Sequence, residues 1–163
     1  MAITYEPLAN ITLAAASSSI IFGSIPNTYT DLKITFVGKS TGGANLRIQI
    51  NYDTSTNYSR TYLYGRGSGA ASARSTSTSF IYVTDNGITS TPHFYSIDLL
   101  SYAGSTFKTL LWESSEDNNG SGSVVRGVGL WRSTAAITSI SLYDVGNTFD
   151  AGTTVCLYGI LKV

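Results

Sequence analysis

The chain predicts an all-β fold: a single-domain antiparallel β-sandwich, jelly-roll-like, spanning residues 1–163. Three observations carry this. Strand-forming residues dominate: there are eleven tyrosines, and Ser and Thr together make up roughly a quarter of the chain, well above ordinary usage. Apolar residues recur with a period of two, and no stretch with a 3.6-residue period is long enough for a helix. Gly, Asn, Asp and Pro break the chain at short intervals, bounding about ten strands. With 163 residues there is enough chain to enclose a core, and a two-sheet sandwich is favoured over a closed barrel.

The elements follow in order. Ala2–Leu13 is a first strand, placed at a sheet edge because Pro7 cannot donate to a ladder. Ala14–Ser18 is a small-residue connector, Ser19–Phe22 a short strand, and Ser24–Thr30 a turn marked by Pro26-Asn27. Asp31–Gly38 is a strand with Leu32, Ile34 and Phe36 on one face, followed by a glycine turn over Ser40–Asn45. Leu46–Tyr52 alternates most cleanly: Leu46, Ile48, Ile50 and Tyr52 on one face, Arg47, Gln49 and Asn51 on the other. After a turn at Asp53–Asn57 the chain returns as Tyr58–Gly65. Gly65–Ser79, poor in everything but Gly, Ala, Ser, Thr and Arg, is expected to be a long surface loop.

Phe80–Val83 is a strand, Asp85-Asn86-Gly87 a turn, and His93–Leu100 a strand. Ser101–Gly104 turns the chain into Thr106–Trp112. Glu113–Ser123 is expected to be a second polar loop, and Val124–Trp131 leads into the final third. There Ile137–Tyr143 and Thr154–Val163 are strands around a Gly/Asn/Asp-rich turn at Asp144–Thr153. The apolar closing strand belongs inside a sheet, since exposed apolar edges invite aggregation.

Composition excludes several functions. Ten basic residues balance ten acidic ones, so the basic surplus of a nucleic-acid binder is missing. Charged residues are only 12 % of the chain, and a neutral, weakly charged protein tends to associate. The N-terminus lacks a signal-peptide pattern and no apolar run is long enough to span a membrane, so synthesis in the cytoplasm without membrane insertion is expected. Cys156 is a single cysteine, expected to be a buried inert thiol. One histidine, His93, expected on the surface or in a turn, leaves no multi-histidine metal site and no relay. Gly65–Gly69 lacks the Gly-Lys-Ser/Thr ending of a phosphate loop. Glu113, Glu116 and Asp117 cluster, but in a segment expected to be solvated, where a carboxylic pKa is not easily raised. No enzymatic constellation, metal site or cofactor site is expected.

Tyr58, Tyr62 and Tyr64 share one strand face, and Trp131-Arg132 ends another strand. Tyr, Trp and Arg anchor protein interfaces and Tyr lines sugar-binding faces, so these five residues are the interface candidates. Cross-strand packing inside the sandwich is the competing reading for the tyrosines, and capping of the core for Trp131.

Several segments resemble a family of small β-rich virion structural proteins of tailed bacteriophages, especially those infecting cyanobacteria. They are Tyr5–Leu13 (YEPLANITL), Phe22–Leu32 (FGSIPNTYTDL), Leu46–Ser59 (LRIQINYDTSTNYS), Leu130–Ile137 (LWRSTAAI) and Leu157–Ile160 (LYGI). The resemblance covers nearly the whole chain. It implies a virion protein with a β-sandwich domain, and its members include capsid decoration (cement) and tail-fibre-like proteins. The favoured expectation is a decoration protein on the outer capsid surface, assembled as a homotrimer that clamps the major capsid protein through many small contacts repeated by symmetry. The alternative is a receptor- or glycan-binding module of a tail fibre or capsid surface, acting on host surface glycans. The resemblance carries over no catalytic residues.

Overall fold

The computed structural model describes residues 5–85 and 87–161. The ends of the first and last expected strands, and Asn86 in its turn, lie outside the described residues. Twelve strands form: β1 (Tyr5–Thr12), β2 (Ser19–Phe22), β3 (Asp31–Gly38), β4 (Arg47–Ile50), β5 (Tyr58–Gly65), β6 (Ala70–Thr78), β7 (Ile81–Tyr82), β8 (His93–Leu100), β9 (Lys108–Glu116), β10 (Ser123–Trp131), β11 (Ile140–Tyr143) and β12 (Thr154–Ile160). The described residues contain no helix. Eight strands make one sheet in the order β1-β12-β3-β8-β9-β10-β5-β6, and four make a second in the order β2-β11-β4-β7. Every pairing is antiparallel. The fold is therefore the expected antiparallel, jelly-roll-like sandwich.

The core follows from the alternation. Leu32, Ile34 and Phe36 of β3, Ile48 and Ile50 of β4, Tyr95, Ile97 and Leu99 of β8, and Ile140 and Leu142 of β11 are buried in one cluster between the sheets. Phe36 meets Tyr95 and Phe149 edge-to-face, each with centroids 5.4 Å apart, the geometry that the ring quadrupoles favour. Pro7 lies in the edge strand β1, beside a register shift between Pro7 and Ala9. β12 lies inside the large sheet, between β1 and β3.

Four expectations change. Most of Gly65–Ser79 is a strand, β6, not a loop. It escapes a periodicity reading because it is the edge beyond the small sheet, where both faces are open and no apolar face is needed. The polar loop over Glu113–Ser123 shrinks, because β9 runs to Glu116 and β10 begins at Ser123. Cys156 is half-buried, on the face of the large sheet turned away from the small one. His93 is buried at the start of β8.

Candidate functional site

The interface candidates separate once the strands pair. Trp131 falls opposite Tyr58 in the β10–β5 register, and both point into the core. Tyr58 is fully buried and Trp131 only 2 % exposed. Their rings stack, with centroids 6.3 Å apart. The Tyr58 hydroxyl accepts from the Ile50 N–H at 3.0 Å and faces the carbonyls of Ile50 and Asp53. The Trp131 Nε1–H donates to Asp53 Oδ2 at 2.7 Å. These two residues are therefore corrected to core residues: their polar tips are spent internally, and their side chains offer a partner nothing.

Tyr62 and Tyr64 keep the parity of Tyr58 but lie past the edge of the small sheet, so they stay half-exposed. The Tyr62 hydroxyl donates to Asp85 Oδ1 at 3.3 Å. Arg66 binds the same carboxylate and lies 4.8 Å from the Tyr64 ring. Arg60 sits between the rings of Tyr62 (4.4 Å) and Tyr82 (5.2 Å) and donates to the carbonyls of Tyr82 and Thr84. Arg132 is exposed and clamps the turn before β5, donating to the Thr56 carbonyl at 2.6 Å.

The same ladder of guanidinium and ring continues onto the outer face of the small sheet. There β4 turns Ile48 and Ile50 inward and Arg47 and Gln49 outward. The Arg47 guanidinium lies 4.8 Å from Phe80, 4.9 Å from Tyr82 and 5.9 Å from Tyr143. Beside this cage lies a groove of ≈ 440 Å³, whose lining includes Ser19, Gln49, Tyr52, Ser141, Tyr143 and Asp144. Sequence reasoning selected none of these.

Two features mark the groove. Its rim is Tyr52, 60 % exposed rather than facing the core with Ile50. The cause is the turn that ends β4. Asn51 and Tyr52 both adopt left-handed backbone, φ 51° and 56°, and the Asp53 N–H closes the turn on the Ile50 carbonyl at 2.9 Å. Asn tolerates this conformation; a bulky side chain does so only under constraint. Asn51 supplies the constraint. Its Nδ2 donates to the Ala136 carbonyl at 2.8 Å, and its Oδ1 accepts the N–H groups of Thr138 and Ser139 at 2.8 and 3.0 Å.

The floor is Asp144, whose side chain is 1 % exposed. Its nearest cation, Arg47 Nη2, stands 3.9 Å away, beyond hydrogen-bond reach. Arg47 Nε is buried without a partner. A buried guanidinium nitrogen left without an acceptor is costly. Burial pushes the Tyr143 hydroxyl above its ordinary pKa and Arg47 opposes that shift.

A second polar pair lies elsewhere. Glu116, expected in a solvated loop, ends β9 with its side chain buried and its Oε2 2.6 Å from His93 Nε2. The Thr89 N–H and hydroxyl meet that same nitrogen at 3.1 and 3.3 Å. A proton relay needs the two nitrogens of the ring to contact different groups. Here both neighbours converge on Nε2, so the pair ties the loop before β8 to the end of β9. No group of three or more potential metal ligands forms among the described residues.

No protein-family model matches the chain, and no curated protein sequence is similar to it. Several solved structures are similar to it at low identity. Galectin LEC-6 of Caenorhabditis elegans is 8 % identical, with 94 % of this chain and 96 % of that one covered and a TM-score of 0.40. A toad ovary galectin, solved in complex with thio-digalactose, is 6 % identical over 87 % of this chain and 99 % of that one, with a TM-score of 0.40. Domains LG4-5 of the mouse laminin α1 chain are 13 % identical over 94 % of this chain and 42 % of that one, with a TM-score of 0.39.

Proposed function

We propose that this protein is a non-enzymatic glycan-binding module, with its saccharide site in the groove on the outer face of the small sheet. One observation carries the reading: an exposed tyrosine, Tyr52, is held in left-handed backbone at the rim of a groove that polar side chains also line. A sugar ring offers an apolar C–H face and a fringe of hydroxyls. An aromatic platform beside a few fixed polar groups matches both. In this reading the Tyr52 ring covers the C–H face, and Gln49 and Ser19 meet the hydroxyl fringe. Following the sequence resemblance, the ligands are host surface glycans and the module belongs to a phage tail fibre or capsid surface. The test is a glycan panel followed by titration of the best ligand. Gln49→Ala is expected to weaken binding about fivefold, the worth of one hydrogen bond of about 1 kcal/mol, without lowering the melting temperature. Full binding by that variant refutes the assignment.

A second reading is a capsid decoration protein on the outer surface of the virion, a homotrimer bound to the major capsid protein. The observation that favours it is the row of exposed apolar side chains on the outer face of the large sheet, among them Leu63, Leu111, Val124 and Val128. Copy number in purified particles decides: near-stoichiometry with the major capsid protein supports decoration, and a few to a few tens of copies supports a tail or fibre module.

A further inference from the structure

The large sheet packs the small one on one face and leaves the other uncovered. Across five of its eight strands, β3-β8-β9-β10-β5, the uncovered face displays Val37, Phe94, Leu111, Val128, Val124 and Leu63, all exposed. Antiparallel sheets often have one solvated face, but that face is then polar. Val37 adjoins Phe94 and Leu111 adjoins Val128, with Thr35, Ser96, Glu113 and Arg126 on the rung between them, and so many exposed apolar side chains among matched charges mark an interaction surface.

We infer that this face docks a second copy of the chain through a two-fold axis that runs parallel to the strands between β9 and β10. The charges select that axis. Along the middle of the face Arg126 of β10 lies directly opposite Glu113 of β9, and on the adjacent outward rung Val128 lies opposite Leu111. Turning a second sheet over about this axis keeps each residue at its own height and exchanges the two strands. Arg126 of one copy then covers Glu113 of the other, twice by symmetry, and Val128 covers Leu111, also twice. Further out, β5 covers β8, which sets Leu63 over Ser96 and Thr61 over Asp98. The remaining cations meet at the rim. Arg74 of β6 comes over Lys33 of β3, whose charge is already matched by Asp98 at 2.9 Å. The contact is isologous and closed, and face-to-face sheets with nearly aligned strands are an established packing class.

The size is right. Six strands spaced about 4.8 Å apart, each about eight residues long at about 3.4 Å per residue, span on the order of 800 Å², the area each partner contributes to a stable interface of ordinary size. The inference does not depend on a saccharide in the groove, which lies on the opposite side of the sandwich.

Sedimentation equilibrium of the full chain tests it. The wild type is expected at twice the 17.3 kDa chain mass and Val128→Asp at the single mass, with unchanged melting curves. Arg126→Glu and Glu113→Arg each place like charges together and are expected to weaken association about tenfold or more. The double swap is expected to restore it. A monomer at all concentrations overturns the inference, as does a trimer. So does a dimer that survives Val128→Asp, or a double swap no better than its parents.

Discussion

Replacing Tyr52 with asparagine separates display from packing. A non-glycine residue in left-handed backbone costs about 1–2 kcal/mol, and asparagine escapes much of that because its short polar side chain is tolerated there. Against this stands lost burial. Tyr52 is 60 % exposed, so two-fifths of its surface is covered. Full burial of a large apolar side chain is worth about 1.5–3 kcal/mol, and two-fifths of it roughly 0.6–1.2. The two effects cancel to within about 1 kcal/mol, which for a chain of this size moves the melting temperature by no more than about 2–4 °C. Urea unfolding followed by tryptophan fluorescence reads the stability, and titration with the best panel glycan reads the function. Expected is a stability within that margin and a binding constant reduced at least about tenfold, the worth of a ring stacked on the ligand. A loss of more than about 2 kcal/mol of stability makes Tyr52 a packing residue and removes the argument from strain. Unchanged binding removes the groove.

Trp131→Ala deletes a buried ring and strands Asp53, so it is expected to cost about 3–5 kcal/mol in urea unfolding; a cost under about 1 kcal/mol would contradict its place in the core. Acid should unfold the protein in two windows, both with the same sign. Burial lowers the His93 pKa from its ordinary 6.5, and the Glu116 carboxylate only partly restores it. The unfolded chain therefore binds the proton more readily, and stability is complete above about 6.5 and falls as the pH drops below it. Burial alone would raise Asp53, but hydrogen bonds from Ser55, Trp131 and Asn57 outweigh it and hold the pKa at about 2 instead of 3.8. Its contribution is present above about 3.8 and is lost on further acidification toward 2. Melting temperatures from pH 8 to 2 should show both losses, with His93→Gln removing only the upper one; an upper slope that persists in that variant assigns it to another group.

What the sequence makes legible here is whatever obeys a period of two. β3 and β4 place their apolar residues inside as the alternation requires, and Tyr58, Tyr62 and Tyr64 do share one face. The alternation cannot say which side of the sheet that face is, and here it is the inner one. Nor can it say where a covering sheet stops. The small sheet covers Tyr58 and ends before Tyr62 and Tyr64, so one motif yields a core residue and two rim residues. The His93–Glu116 pair was hidden for another reason: the two residues meet only once β8 and β9 extend toward the same end of their hairpin, where Phe94 already faces Ser115.

The groove was harder still to anticipate, because its residues come from β2 and the residue before it, from β4 and the turn after it, and from β11 and its end. No spacing along the chain relates them. The one local clue lies in Asn51-Tyr52, where the alternation of Leu46, Ile48 and Ile50 places Tyr52 in the core. After glycine, asparagine most readily opens a left-handed turn, and the side chain of Asn51 is claimed by the 136–139 segment. That distant claim keeps the turn left-handed through a tyrosine that would otherwise resist it. It therefore converts the last apolar position of the strand into an exposed ring above Asp144. A strained display residue fixed from 85 residues away is what a binding rim requires and what core packing alone has no use for, and for this reason the groove, rather than the tyrosines of β5, is the site to test first.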